Sequence, residues 1–69
     1  MHISYDKLWK LLIDKKMNRT ELRTKAEIST NAIAKLGKNE AVSMDTMDKI
    51  CKALNCNIGD VMEFISDME

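Results

Sequence analysis

No proline interrupts this chain, and its 69 residues hold only two glycines, three aromatic residues, two cysteines and one histidine. Without proline, and with glycine only at Gly37 and Gly59, little in the sequence stops a helix. No apolar run reaches the roughly 18 residues of a membrane-spanning helix, and no leading segment has the layout of a secretory signal. A soluble, cytoplasmic chain with reduced thiols is therefore expected. The single histidine leaves no base to activate a nucleophile, and no glycine-rich loop offers a phosphate cradle. Catalysis, a cofactor and a small-molecule ligand are not expected. Cys51 and Cys56 lack the second pair that a zinc site needs, so no metal centre is expected either. The three aromatics are too few for a nucleic-acid stacking surface, and Trp9 falls inside a helical apolar stripe, so core packing is its better role.

What is present is helical patterning. Apolar residues recur three and four apart along the whole chain, which predicts an all-α domain. Its length fits one domain over residues 1–69, with a single small core. Formal net charge is zero, but the distribution is not even. Residues 1–39 hold nine Lys/Arg against four Asp/Glu, a net +5, and residues 40–69 hold two against seven, a net −5. Such asymmetry points to a nucleic-acid-facing half, while the plainer explanation is solvated helix faces with an acidic tail.

In chain order, His2 to Ser4 is a lead-in and Ser4 can cap a first helix over about residues 5–16. Tyr5, Leu8, Trp9, Leu12 and Ile13 make its apolar stripe. A second helix is expected over Arg19–Ala26 and a third over about residues 30–36. Gly37 or Asn39 can take the left-handed conformation that closes the third. Ser43 opens a fourth over Met44–Leu54, with Met47, Ile50, Cys51 and Leu54 inside and Asn55 as its stop. Asn57, with Asp60 three residues on, reads as the cap of a fifth helix over about residues 58–64, followed by a frayed tail at 66–69. That last helix is apolar on more than one side, which suits a self-association surface.

Residues 18–36 organise the rest. Asn18 and Glu21 have the spacing of a capping box, and Leu22 and Ala26 give an inner face one turn apart. Glu27 and Ile28 break the pattern, and Ser29 caps a helix with Ile33 and Leu36 inward. Thr30, Asn31, Ala32, Ala34 and Lys35 are left on its outer and leading faces, a set of short polar and small residues that fits a DNA major groove.

This stretch resembles the helix-turn-helix of the lambda-repressor-like (Cro/repressor, or XRE-like) DNA-binding domains. The match is in order: small Ala26, apolar Ile28, capping Ser29, then Ile33 and Leu36. It extends to the leading Leu8-Trp9-Lys10-Leu11-Leu12 and to the later segments 50–56 and 58–61. The resemblance implies a compact five-helix bundle that acts as a sequence-specific transcriptional regulator on double-stranded DNA. By position, Thr30, Asn31 and Lys35 match the residues that read bases. Asn31 suits adenine and Lys35 guanine. Asn18, Arg19, Arg23, Ser29, Lys38 and Asn39 form the expected phosphate-contacting set. Asn18 and Arg19 also open a helix, where N–H groups favour an anion. Capping alone accounts for Asn18 and Ser29 equally well, and a solvated charge for Arg19, Arg23 and Lys38. The family usually has Gly at the turn where this chain has Glu27. Either Glu27 is left-handed, at about 1 kcal/mol, or the turn differs. A homodimer through the C-terminal helix is the expected assembly. The alternative is a helical protein–protein interaction or antitoxin-like module that keeps the fold with little DNA binding.

Overall fold

The computed structural model describes residues 1–67; Met68 and Glu69, the end of the expected acidic tail, lie outside them. The apolar spacing resolves into four helices: α1 (Asp6–Asp14), α2 (Arg19–Ala26), α3 (Thr30–Gly37) and α4 (Met44–Leu54). Each ends by one device. Lys16, Glu27, Asn39 and Asn55 take left-handed conformations with φ of 54–57°. The next residue then donates its N–H to the carbonyl five positions back: Met17 to Leu12 at 2.9 Å, Ile28 to Arg23 at 3.2 Å, Glu40 to Lys35 at 2.9 Å and Cys56 to Cys51 at 3.0 Å. This satisfies carbonyls that the last turn would leave orphaned. No glycine serves in any of the four: Gly37 stays helical and Asn39 closes α3.

The first helix is shorter than expected. Tyr5 occupies its N-cap position and Lys16 ends it, although Ser4 Oγ does accept the Asp6 N–H at 3.3 Å. The expected fifth helix is a single 3-10 turn, Ile58–Asp60, so the five-helix, all-α expectation is corrected to four helices and a small sheet. Asp60 Oδ2 accepts the Asn57 N–H at 3.0 Å, so the cap forms but the helix does not continue. Val61 drops into the core, and the chain turns to pair β2 (Glu63–Ile65) antiparallel with β1 (His2–Ser4), Ile3 opposite Phe64. A few residues of isolated helix are marginal, whereas the lead-in strand offers ladder hydrogen bonds at once. That partner lies about 60 residues away in sequence, which local spacing cannot register.

The core gathers Tyr5, Leu8, Leu22, Leu36, Ile50 and Val61, all fully buried, at the junction of the helices. Burying each such side chain is worth about 1.5–3 kcal/mol. Three apolar assignments change. Ile13 points outward, 73% exposed. On α3 the inner pair is Ala32 and Leu36, one turn apart, with Ile33 half-buried beside them. Ala32 therefore packs inward, while its edge still borders the groove between α3 and α4. Cys51 sits half-buried at the core's margin.

Candidate nucleic-acid interface

Two short helices hold the site, and local chemistry sets both. Asn18 Oδ1 accepts the Glu21 N–H at 2.8 Å, and Glu21 Oε1 accepts the Asn18 N–H at 3.0 Å, completing the capping box. Leu22 and Ala26 anchor α2 from below. Glu27, at φ 56° and ψ 43°, takes the left-handed turn, and buried Ile28 locks it. Ser29 Oγ accepts the Ala32 N–H at 3.0 Å and starts α3. With Ala32 and Leu36 held inward, Thr30, Asn31, Ala34 and Lys35 are exposed.

The loop after α3 is tied back to α1. Asn39 Oδ1 accepts the Tyr5 N–H at 3.2 Å, and Tyr5 Oη donates to the Glu40 carbonyl at 2.8 Å and accepts from the Val42 N–H. Burial pushes the Tyr5 phenol up, and the Val42 bond partly opposes that. Asn39 thus commits its oxygen to the fold, leaving its NH2 as the group for a ligand.

Arg19 is positioned by neighbours from two other helices. Its guanidinium lies 4.0 Å from the Trp9 ring centroid. A Cβ placed on Gly37 would stand 3.0 Å from its Nη1. Gly37 leaves room for Arg19 between the start of α2 and the end of α3, next to Lys38. Trp9 is half-buried, so it packs and carries a cation at once.

Ser29, Asn31, Ala32 and Lys35 line one groove with Val42, Ser43 and Thr46. Ser43 and Thr46, at the start of α4, are absent from the sequence-derived set. Ser43 Oγ accepts the Thr46 N–H at 3.1 Å and donates to Thr46 Oγ1 at 3.0 Å. In sequence Ser43 reads only as a cap and Thr46 carries no signal, because nothing local shows that α4 starts beside α3. Thr30 stands at the first position of α3 and Arg23 is half-buried on α2. Neither lines this groove. Glu27 does not either: it shares a different groove with Lys25, Lys49 and Lys52, between α2 and α4.

Ion pairs engage several carboxylates of the C-terminal half. Asp45 pairs with Lys49 at 3.5 Å, Asp48 with Lys52 at 3.0 Å and Glu63 with Lys7 at 3.8 Å. Asp67 takes the N-terminal ammonium at 2.9 Å and His2 Nδ1 at 2.5 Å, and the ammonium, then His2, hold its carboxyl below the usual range. Among the described residues, no carboxylate pairs with Arg19, Arg23, Lys35 or Lys38. These cations stay available to an anionic partner. The described residues include no group of three or more His, Cys, Asp or Glu placed to hold a metal. They also include no helix long and apolar enough to cross a membrane.

Residues 7–67 match the family described as the Cro/C1-type HTH DNA-binding domain. The chain is 41% identical over 59 residues to the uncharacterized HTH-type transcriptional regulator YozG of Bacillus subtilis (strain 168), spanning 83% of this chain and 70% of that protein. It is also similar to the crystal structure of the transcriptional regulator VanUg, form II. There the TM-score is 0.86 with 52% identity, over 90% of this chain and 83% of that one.

Proposed function

The chain belongs to the Cro/C1-type helix-turn-helix DNA-binding family, and on that premise we infer that it is a sequence-specific DNA-binding regulator of transcription. The family is one of DNA-binding domains and not an enzyme class. The observation that carries the reading is the split of α3: Ala32 and Leu36 are buried while Thr30, Asn31 and Lys35 are exposed. Set in the major groove, α3 directs Asn31 to an adenine edge, Lys35 to guanine O6/N7 and Thr30 to a thymine methyl or a hydrogen-bond partner. Arg19, held on Trp9, and Lys38 flank the far end of α3 as phosphate contacts. Asn18 and Ser29 offer phosphate contacts from helix starts that they also cap, and Arg23 and the Asn39 amide complete the set.

The proposal includes a homodimer through the C-terminal segment, now β2 and the turn before it. Phe64 is 62% exposed there, with Ile58 and Ile65 exposed beside it. Two copies would read half-sites about 34–36 Å apart, one turn of DNA, or a multiple of that.

Selection of the purified chain against a random-sequence DNA pool, at low and moderate salt, tests this. A short enriched motif is expected, with log affinity falling by about 0.9 per phosphate contact per log unit of salt. Asn31→Ala should cost about 1–3 kcal/mol and relax one base pair. No enrichment and no salt dependence would refute the regulator reading. Equal loss across all sequences would refute base reading by Asn31.

A further inference from the structure

The end of α4 carries a feature with no part in DNA reading. The Asn55 N–H donates to the Lys52 carbonyl at 3.4 Å and the Cys56 N–H to the Cys51 carbonyl at 3.0 Å. This bonding pattern packs the residue two places past a helix end against the one three places inside it. The equivalent pairs are Met17 with Leu12 after α1, Ile28 with Arg23 after α2, and Glu40 with Lys35 after α3. Only α4 has cysteine at both positions, so there the turn sets one cysteine against the other. Both are half-buried and free of any disulfide.

The thiols share an open groove of about 410 Å³ with Met44 and Met47. Residues 44, 47 and 51 follow the i, i+3, i+7 spacing of one helix face, and the left-handed turn at Asn55 returns Cys56 to the same wall. Four sulfur-bearing residues therefore border one surface feature. No histidine lines it, and its one carboxylate residue is Asp48, which is already paired with Lys52. A structural zinc ion calls for four nitrogen or sulfur ligands of which thiolate and imidazole are the usual ones, and calcium and magnesium call for oxygen. Two thiolates with thioether neighbours suit a soft cation that accepts few ligands.

We propose that Cys51 and Cys56 form a binding site for a soft monovalent d10 cation of the Cu(I) class, with Met44 and Met47 as its thioether surround. Each thiol releases its proton to solvent as its sulfur bonds the metal, and the metal keeps its oxidation state. Because the ligands meet only in the folded turn, binding favours the folded chain.

The test is an anaerobic titration of the reduced full chain with Cu(I) against a chromophoric Cu(I) chelator. Expected are withdrawal of one Cu(I) per chain, a thiolate-to-metal absorption band in the ultraviolet, and a raised Tm. All three should be lost in Cys51→Ser and in Cys56→Ser, and Zn(II) should leave Tm unchanged. A measurement on the wild type keeps the test independent of how those variants fold: bound Cu(I) should protect both cysteines from alkylation, read by mass spectrometry. The proposal is overturned if the chelator strips Cu(I) as readily from the wild type as from fully alkylated chain. Protection of one thiol alone, or an equal Tm rise with Zn(II), also overturns it. So does formation of a Cys51–Cys56 disulfide in air by a chain that retains no metal when reduced.

Discussion

Replacing Glu27 by glycine should make this protein more stable, although it removes a side chain and adds none. Glu27 sits at φ 56° and ψ 43°, where Cβ crowds its own carbonyl. A non-glycine residue there pays roughly 1–2 kcal/mol. Glycine avoids that cost but gives the unfolded chain more freedom, which returns about 0.5–1 kcal/mol. The Glu27 carboxylate makes no ion pair among the described residues, so little else is lost. The net expectation is a gain centred on about 0.75 kcal/mol within a span of about 0–1.5, or roughly 3–6 °C in Tm at the centre for a domain of this size. Thermal unfolding followed by far-UV circular dichroism reads it. Glu27→Ala is the control: it removes the charge and keeps Cβ, so Tm should stay near wild type. Lys16→Gly, at φ 56°, should repeat the gain, and Asn55→Gly should give less because asparagine tolerates this region. The number of phosphate contacts, read as the salt slope, should not change in Glu27→Gly, since Glu27 lines the α2–α4 groove. If alanine stabilises as much as glycine, charge and not backbone geometry is responsible. If glycine destabilises, the left-handed strain argument fails.

Gly37→Ala should trade binding for stability. Helix propensity favours it by about 0.8–1 kcal/mol, but the new Cβ stands 3.0 Å from Arg19 Nη1, so the guanidinium has to shift by a few tenths of an ångström on Trp9. A higher Tm with weaker DNA binding at all sequences is expected in mobility-shift titrations; unchanged binding would show that Arg19 needs no such seat. Tyr5→Phe removes the bond to the Glu40 carbonyl and should cost about 0.5–1.5 kcal/mol in denaturant unfolding. Burial raises the Tyr5 pKa above 10.0, so folding favours the neutral phenol. Its contribution is complete below pH 10 and is lost as pH rises through the folded value. The alkaline decline in Tm should therefore be shallower in Tyr5→Phe, and an equal slope would count against it. Leu36→Ala, at a fully buried position, should cost about 2–5 kcal/mol. A single core of this size supplies about 3–5 kcal/mol, so the variant's far-UV signal should be largely unfolded at 37 °C, and a native spectrum would refute the assigned packing.

Spacing and caps alone determined much of this protein. The Asn18–Glu21 box, the Ser29 and Ser43 caps and the Asn55 stop each act within four residues, so the sequence carries their outcome directly. They set the starts of α2, α3 and α4, and with them the exposure of Thr30, Asn31 and Lys35. Propensity disfavours a left-handed Glu, so sequence alone leaves the turn at Glu27 open; in the fold it is left-handed, with Ile28 buried next to it. Other features depended on partners far along the chain. Residues 63–65 form a strand because His2–Ser4 offers a ladder from the other end. Ala32, one turn before Leu36, packs inward where the helices meet, and Ile33 is only half-buried. Asn39 gives its side-chain oxygen to the Tyr5 N–H from the other end of the fold, and Gly37 lies next to the Arg19 guanidinium that rests on Trp9. Local hydrogen bonds declare themselves in spacing, whereas long-range pairing and shape complementarity exist only once the chain has closed on itself.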